Sequence, residues 1–134
     1  MNDEIEEIEE IDEYTDYMER PYEKLIVWQE AYSLCLLVYK ITVTFPSHER
    51  FSLTNQMRRS AYSVPINIAE GNARRSVKEK TYFCRIAQAS LEELHCESQL
   101  ARDLSYLTME NYQDIDDRIQ RVSYLLTRLI ASLQ

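Results

Sequence analysis

The chain has 134 residues, 15 basic and 23 acidic, for a formal net charge of -8, with one glycine and three prolines. That length supports one domain with a modest core and not two, and so few turn-forming residues among charged and aliphatic side chains point to an all-α fold. A single glycine excludes Walker-type loops and Gly-rich phosphate cradles, and no Ser-His-Asp or Cys-His pattern is present, so neither catalysis nor a cofactor is expected.

The charge is unevenly divided. Residues 1–20, MNDEIEEIEEIDEYTDYMER, hold ten acidic side chains against Arg20 alone, whereas residues 21–134 hold 14 basic and 13 acidic groups. The pI of about 4.8 therefore describes mostly the tail. Self-repulsion among its carboxylates opposes folding, so 1–20 is expected to be a disordered acidic tail preceding a folded unit at 21–134. Ile5, Ile8 and Ile11, at three-residue spacing, allow a second reading: a short helix laid on a basic, partly apolar surface of the body or of a neighbour. The acidic start is unlike a signal peptide. Uncharged runs such as 31–39 are far shorter than the ~20 residues needed to cross a bilayer; a cytoplasmic protein without membrane contact is expected. Cys35, Cys84 and Cys96 lack CxxC spacing and are read as small packing residues.

Helix one is predicted over about 22–44, stopping before Pro46. Leu25, Trp28, Tyr32, Leu36, Tyr39 and Val43 line one side of it, and Val27, Ala31, Leu34, Val38 and Ile41 line the other. A helix apolar on both sides must be covered on both sides, which three partner helices of one small bundle rarely achieve, so a homo-oligomer is expected, the alternative being that the N-terminal tail covers one side. The link that follows contains His48 and ends at Ser52, whose hydroxyl can cap helix two.

Helix two begins near Leu53, with Met57, Ala61, Val64 and Ile68 at helical spacing. Pro65 removes a backbone donor and is expected to kink it, and Gly71 is expected to end it in the left-handed conformation. Roughly opposite the core stripe lie Arg59, Tyr62, Ser63, Ile66 and Glu70, a mixed face that is either exposed or buried against another subunit. Ser76 to Glu79 reads as a capping box for helix three, which extends to 106 or 107 with Phe83, Ile86, Ala87, Ser90, Leu94, Ala101 and Leu104 inward. Helix four, about 110–132, carries Ile115, Ile119, Val122, Leu126, Leu129 and Leu133 on one face, with Asp114, Asp116 and Asp117 in its first turns. Four helices on short links favour an antiparallel up-down-up-down four-helix bundle.

The run QMRRSAYSVPINIAEGNARRS at 56–76, with KLIVWQEAYSL before it and FPSHERFSLTNQ between, resembles the bacterial four-helix-bundle family named for intervening sequences in 23S rRNA genes, also called the S23 ribosomal protein family. The likeness spans 22–133 and rests most on Ser63-Val64-Pro65-x-Asn67-Ile68-Ala69-Glu70-Gly71 followed by Arg74-x-Ser76; it leaves out the tail. It implies a barrel-shaped homopentamer, and kinship with the accessory proteins of diversity-generating retroelements, which bind a reverse transcriptase and nucleic acid through a basic surface. Related sequences usually have glycine where Ser52 stands.

Glu92-x-x-His95 has the spacing of a di-iron bundle motif, but such sites need two copies and two more inward glutamates, and His48 lies in a loop. A surface or interface pair is expected, not a metal site. The remaining candidates are basic. Arg58 and Arg59 point to different sides of helix two, whereas Arg74, Arg75 and Lys78 gather at the connection into helix three. Arginines beside a helix N-terminus suit phosphates, so these five are the candidate nucleic-acid contacts, backbone-led and weakly sequence-specific. The competing reading makes them inter-subunit ion pairs. Ser63, Pro65, Asn67, Glu70, Gly71 and Ser76 are assigned to architecture. Two functions result: an oligomeric RNA- or nucleoprotein-associated accessory protein, or a protein-interaction scaffold, such as a reverse-transcriptase accessory, without direct nucleic-acid binding.

Overall fold

The computed structural model describes residues 20–134. A 3-10 turn, Pro21–Lys24, precedes four helices: α1 (Ile26–Thr42), α2 (Leu53–Ala73), α3 (Val77–Asp103) and α4 (Met109–Leu133); a second 3-10 turn, Ser47–Glu49, lies in the first link. There is no strand among the described residues. Packing runs round a ring, α1 on α2, α2 on α3, α3 on α4 and α4 back on α1, while diagonal backbones stay apart. This is the antiparallel up-down-up-down four-helix bundle. Leu34, Met57, Ile68, Leu91, Leu94, Ile115 and Leu126 are fully buried at its centre, and every helix contributes. No helix among the described residues is long and apolar enough to cross a membrane. The acidic segment before Arg20, and both readings of it, lie outside the described residues.

Helix one is shorter than its sequence pattern predicts. Leu25 adopts an extended backbone, φ -74° and ψ 126°, that separates the 3-10 turn from α1. The break lets Tyr22 turn edge-on to Trp28, at 5.1 Å between ring centres, while Trp28 stacks on Tyr32 at 4.9 Å. Ser52 precedes α2 as expected, but its side chain makes no capping bond.

Gly71 corrects the sequence reading most clearly. It sits inside α2 with ordinary helical geometry, and the helix continues to Ala73. Its lack of a side chain serves packing: a Cβ there would lie 3.0 Å from the Phe83 Cβ and 3.3 Å from the Lys80 carbonyl oxygen. The left-handed residue is instead Ser105, with φ 65°. Its amide donates to the Arg102 carbonyl at 2.9 Å and that of Tyr106 to Ala101 at 2.8 Å. This Schellman closure ends α3 at Asp103, a turn earlier than the stripe predicts. Leu104 consequently falls past the helix end and is 47% exposed, while Cys84, Leu91 and Ser98 join Ala87, Ser90, Leu94 and Ala101 in the buried stripe; Phe83 and Ile86 are half-buried.

α2 runs through Pro65, which is buried. Along α2 and α3 small polar residues face one another. The Ser63 and Ser90 hydroxyls are 2.8 Å apart, and the Asn67 amide donates to the Ser63 carbonyl at 2.7 Å and hydroxyl at 3.0 Å. Asn67 is thus satisfied along the α2–α3 seam, not at the corner. α4 buries Ile115, Ile119, Val122 and Leu126 as its pattern predicts, with Tyr112 and Ile130 beside them.

Candidate functional site

α2 reverses into α3 through Arg74, Arg75 and Ser76 alone. The Ser76 hydroxyl accepts from the Glu79 amide at 3.1 Å, which supplies one half of the capping box; the Glu79 carboxylate returns no bond to Ser76 among the described residues. The Val77 and Lys78 amides precede the first intrahelical bond, from the Lys80 amide to the Ser76 carbonyl at 3.0 Å, and remain free donors. The Lys80 ammonium donates to the Asn72 carbonyl at 3.0 Å and ties α3 to the last turn of α2.

Three predicted basic residues meet at this corner. The Arg74 guanidinium pairs with Glu70, one turn back on α2, and lies over the Phe83 ring, 4.9 Å from its centre. Arg75 and Lys78 are exposed, and neither has a carboxylate within 4.0 Å among the described residues. The corner therefore presents two uncompensated cations and a third held by an ion pair, beside free amides.

The other two lie elsewhere. Sixteen positions separate Arg58 from Arg74 on α2, about 24 Å at 1.5 Å per residue. The Arg58 Nε donates to the Thr42 hydroxyl at 2.9 Å, and its guanidinium lies 4.8 Å from the centre of the Tyr39 ring, so this side chain braces α2 against α1. Thr42 is almost fully buried and donates in turn to the Val38 carbonyl at 2.7 Å. Arg59 is exposed on the other side of α2, in a groove lined by Gln56, Ser60, Tyr62, Ser63, Ile86, Ser90 and Glu93. The Ser60 hydroxyl donates to Glu93 at 3.4 Å. Below it, Glu97 has one carboxylate oxygen buried without a partner. Burial pushes the Glu97 carboxyl above its ordinary range, the Glu93 charge adds to that, and the Ser60 hydroxyl opposes it.

A second surface is apolar. Tyr32, Leu36, Tyr39 and Val43 of α1 are 46%, 55%, 39% and 73% exposed, and Tyr62 and Ile66 of α2 continue the strip. Trp28, Cys35, Pro65 and Ala69 floor a hollow between them. These are the residues of the first side of helix one and of the mixed face of helix two. The periodicity therefore located both apolar sides of helix one; packing among the described residues buries the Val27, Ala31, Leu34, Val38 and Ile41 side and leaves most of the other open.

His95 and Asp116 approach to 3.4 Å between α3 and α4, a surface pair, and no group of three metal-ligating side chains occurs among the described residues. Cys35 and Cys84 are buried and their thiols pushed up by burial, whereas Cys96 is exposed on the outer side of α3, so the packing role expected of all three belongs to two. Lys80 and Phe83, which position the corner, were not singled out for it; their signal is a place one to two turns into helix three, opposite Gly71.

Four antiparallel helices in a ring, with a basic corner between α2 and α3 and an apolar strip along α1 and α2, define the class: a helical bundle whose distinctive features are surfaces. The sequence profile of the 23S rRNA-intervening sequence protein family matches residues 23–128, and the chain belongs to that family. The fold is similar to the crystal structure of a protein with unknown function from the S23 ribosomal protein family of Bacteroides thetaiotaomicron VPI-5482. The TM-score is 0.71 at 23% identity, over 78% of this chain and 98% of that one. A search among curated proteins found no match.

Proposed function

We propose that the protein is a non-enzymatic, oligomeric accessory factor that contacts RNA or a nucleoprotein through phosphate groups at the α2–α3 corner. The observation that carries this is the exposure of Arg75 and Lys78 without compensating carboxylates among the described residues, beside the free amides that open α3. Guanidinium, ammonium and helix N-terminal amides all favour anions, and such contacts read charge and not sequence. Arg74 shares the corner, Arg59 is an outlying contact, and Arg58 serves mainly as a brace. A homo-oligomer, with the pentamer of the family resemblance as the expected form, uses the α1–α2 strip as its contact and repeats the corner around a ring.

The test is a salt titration of binding to a fluorescent structured RNA. Affinity should fall linearly on logarithmic axes. The Arg74→Ala/Arg75→Ala/Lys78→Ala variant should bind more weakly and with a flatter slope, by about 0.7–0.9 for each phosphate that is no longer neutralised. Arg58→Ala should leave the slope unchanged and destabilise the fold by about 1.5 kcal/mol, the worth of a charged hydrogen bond. Absent or salt-independent binding refutes the reading. For the oligomer, a light-scattering mass of one chain at micromolar concentration does the same.

The exposed strip favours a second reading, a scaffold that binds a protein partner such as a polymerase without touching nucleic acid. A partner retained in pull-downs after nuclease treatment, together with no RNA binding by the pure protein, would select it.

A further inference from the structure

Arg20, Pro21 and Tyr22 line a hollow with Ile66, Ala69, Glu70, Asn72 and Ala73, so Arg20, to which the acidic segment is joined, lies against the last two turns of α2. Asn72 and Ala73 lead directly into Arg74 and Arg75. The nineteen residues before Arg20 carry ten carboxylates and no basic side chain. Even as a helix, that many residues span about 28 Å, and an extended chain reaches beyond about 60 Å. An anionic segment is thus tethered within a few residues of the exposed cations it complements.

We propose that the acidic segment 1–19 of this chain occupies its own basic corner at Arg74, Arg75 and Lys78 and masks that corner from other polyanions. The inference rests on the reading of this corner as an anion-binding surface. The tether makes the segment a competitor at high effective concentration, so a nucleic acid must displace it. Because both the docking and the displacement are ionic, salt loosens the first while weakening the second.

Carbodiimide coupling, which joins a carboxylate to an amine in contact, tests the docking directly on the full chain at low salt. The expected product links the acidic segment to Lys78 in several-fold excess over Lys40, which lies at the far end of α1. It should fall several-fold in the Arg74→Ala/Arg75→Ala chain or at 0.5 M salt (about 4 Å of screening length). Equal coupling to both lysines, or coupling indifferent to salt and to the arginines, overturns the proposal, since a merely tethered segment would behave so. In a mixture of isotope-labelled and unlabelled chains, hybrid products would place the segment on a neighbouring copy and overturn its assignment to the same chain. Removing residues 1–19 should then tighten binding of a structured RNA about tenfold at 50 mM salt; unchanged affinity overturns the masking. If neither chain binds RNA, the proposed function fails, and the coupling result alone still decides whether the segment docks.

Discussion

The α2–α3 contact and the outer side of α1 are built from opposite materials. Between α2 and α3, Gly71, Ser60, Ala61, Ser63, Ser90 and Ala87 keep side chains short, the backbones come close, and the polar atoms that are buried are mostly answered across the seam. On the outer side of α1, Tyr32, Leu36, Tyr39 and Val43 are as apolar as core residues and remain 39% to 73% exposed. Small residues bring a partner helix of the same chain near enough to finish the contact; large apolar ones on a helix whose two neighbours are already placed can be covered only from outside. Among the described residues one surface is closed, and the other is left open.

Paired truncations sharpen that contrast. Leu94→Ala, at a fully buried position of α3, should cost about 3 kcal/mol in urea unfolding; a loss below about 1 kcal/mol would mean that the ring of helices is loosely closed. Next comes Gly71→Ala. The added methyl must fit 3.0 Å from the Phe83 Cβ and 3.3 Å from the Lys80 carbonyl, so α2 and α3 must part, at a cost of about 2 kcal/mol. Were Gly71 a left-handed turn residue, Asn would be the mildest replacement there; close packing instead ranks Ala above Asn, and thermal melts of the two variants separate these roles.

The seam has one imperfect point, Glu97. Its folded carboxyl titrates above the ordinary range because burial disfavours the charge. The neutral form is the one the fold prefers, so its contribution is fully present below the unfolded carboxylate pKa and is lost as pH rises through the raised folded value. Glu97→Gln should therefore raise the melting temperature at pH 7, and the advantage should vanish near pH 4 (about the ordinary carboxylate pKa). An advantage that is the same at both pH values would trace the gain to packing, not charge.

The smallest effect on the isolated fold is expected on the open side. Leu36→Ala should change single-chain stability by about 0.5 kcal/mol, against the far larger loss at Leu94. Protein concentration provides the decisive comparison. If copies cover the strip, the unfolding midpoint of the native sequence rises with concentration and that of Leu36→Ala rises less. Identical concentration dependence would break the distinction between the two surfaces.

Much of this architecture is legible in the amino-acid order. Four apolar periodicities, the stop before Pro46 and the Ser76 cap mark the helices, and the two-sided pattern of helix one marks its two apolar sides. Of the candidate site, the gathering of Arg74, Arg75 and Lys78 follows from the short link alone, because residues so near one another at a helix reversal cannot be far apart. The use of Arg58 does not, since it depends on Thr42 and Tyr39 of another helix being within reach.

What the sequence by itself determined is the all-α class, the order of the helices and the separation of charge between an acidic beginning and a basic middle, because local periodicity and composition suffice for these. Only the tertiary structure decided that Gly71 serves helix approach while Ser105 makes the left-handed turn, that Arg58 is occupied while Arg75 and Lys78 have no carboxylate partner among the described residues, and which apolar side of α1 faces outward. Each of those depends on distances between residues remote in the chain, and a side chain's surroundings, not its identity, set whether it packs, pairs or stays available.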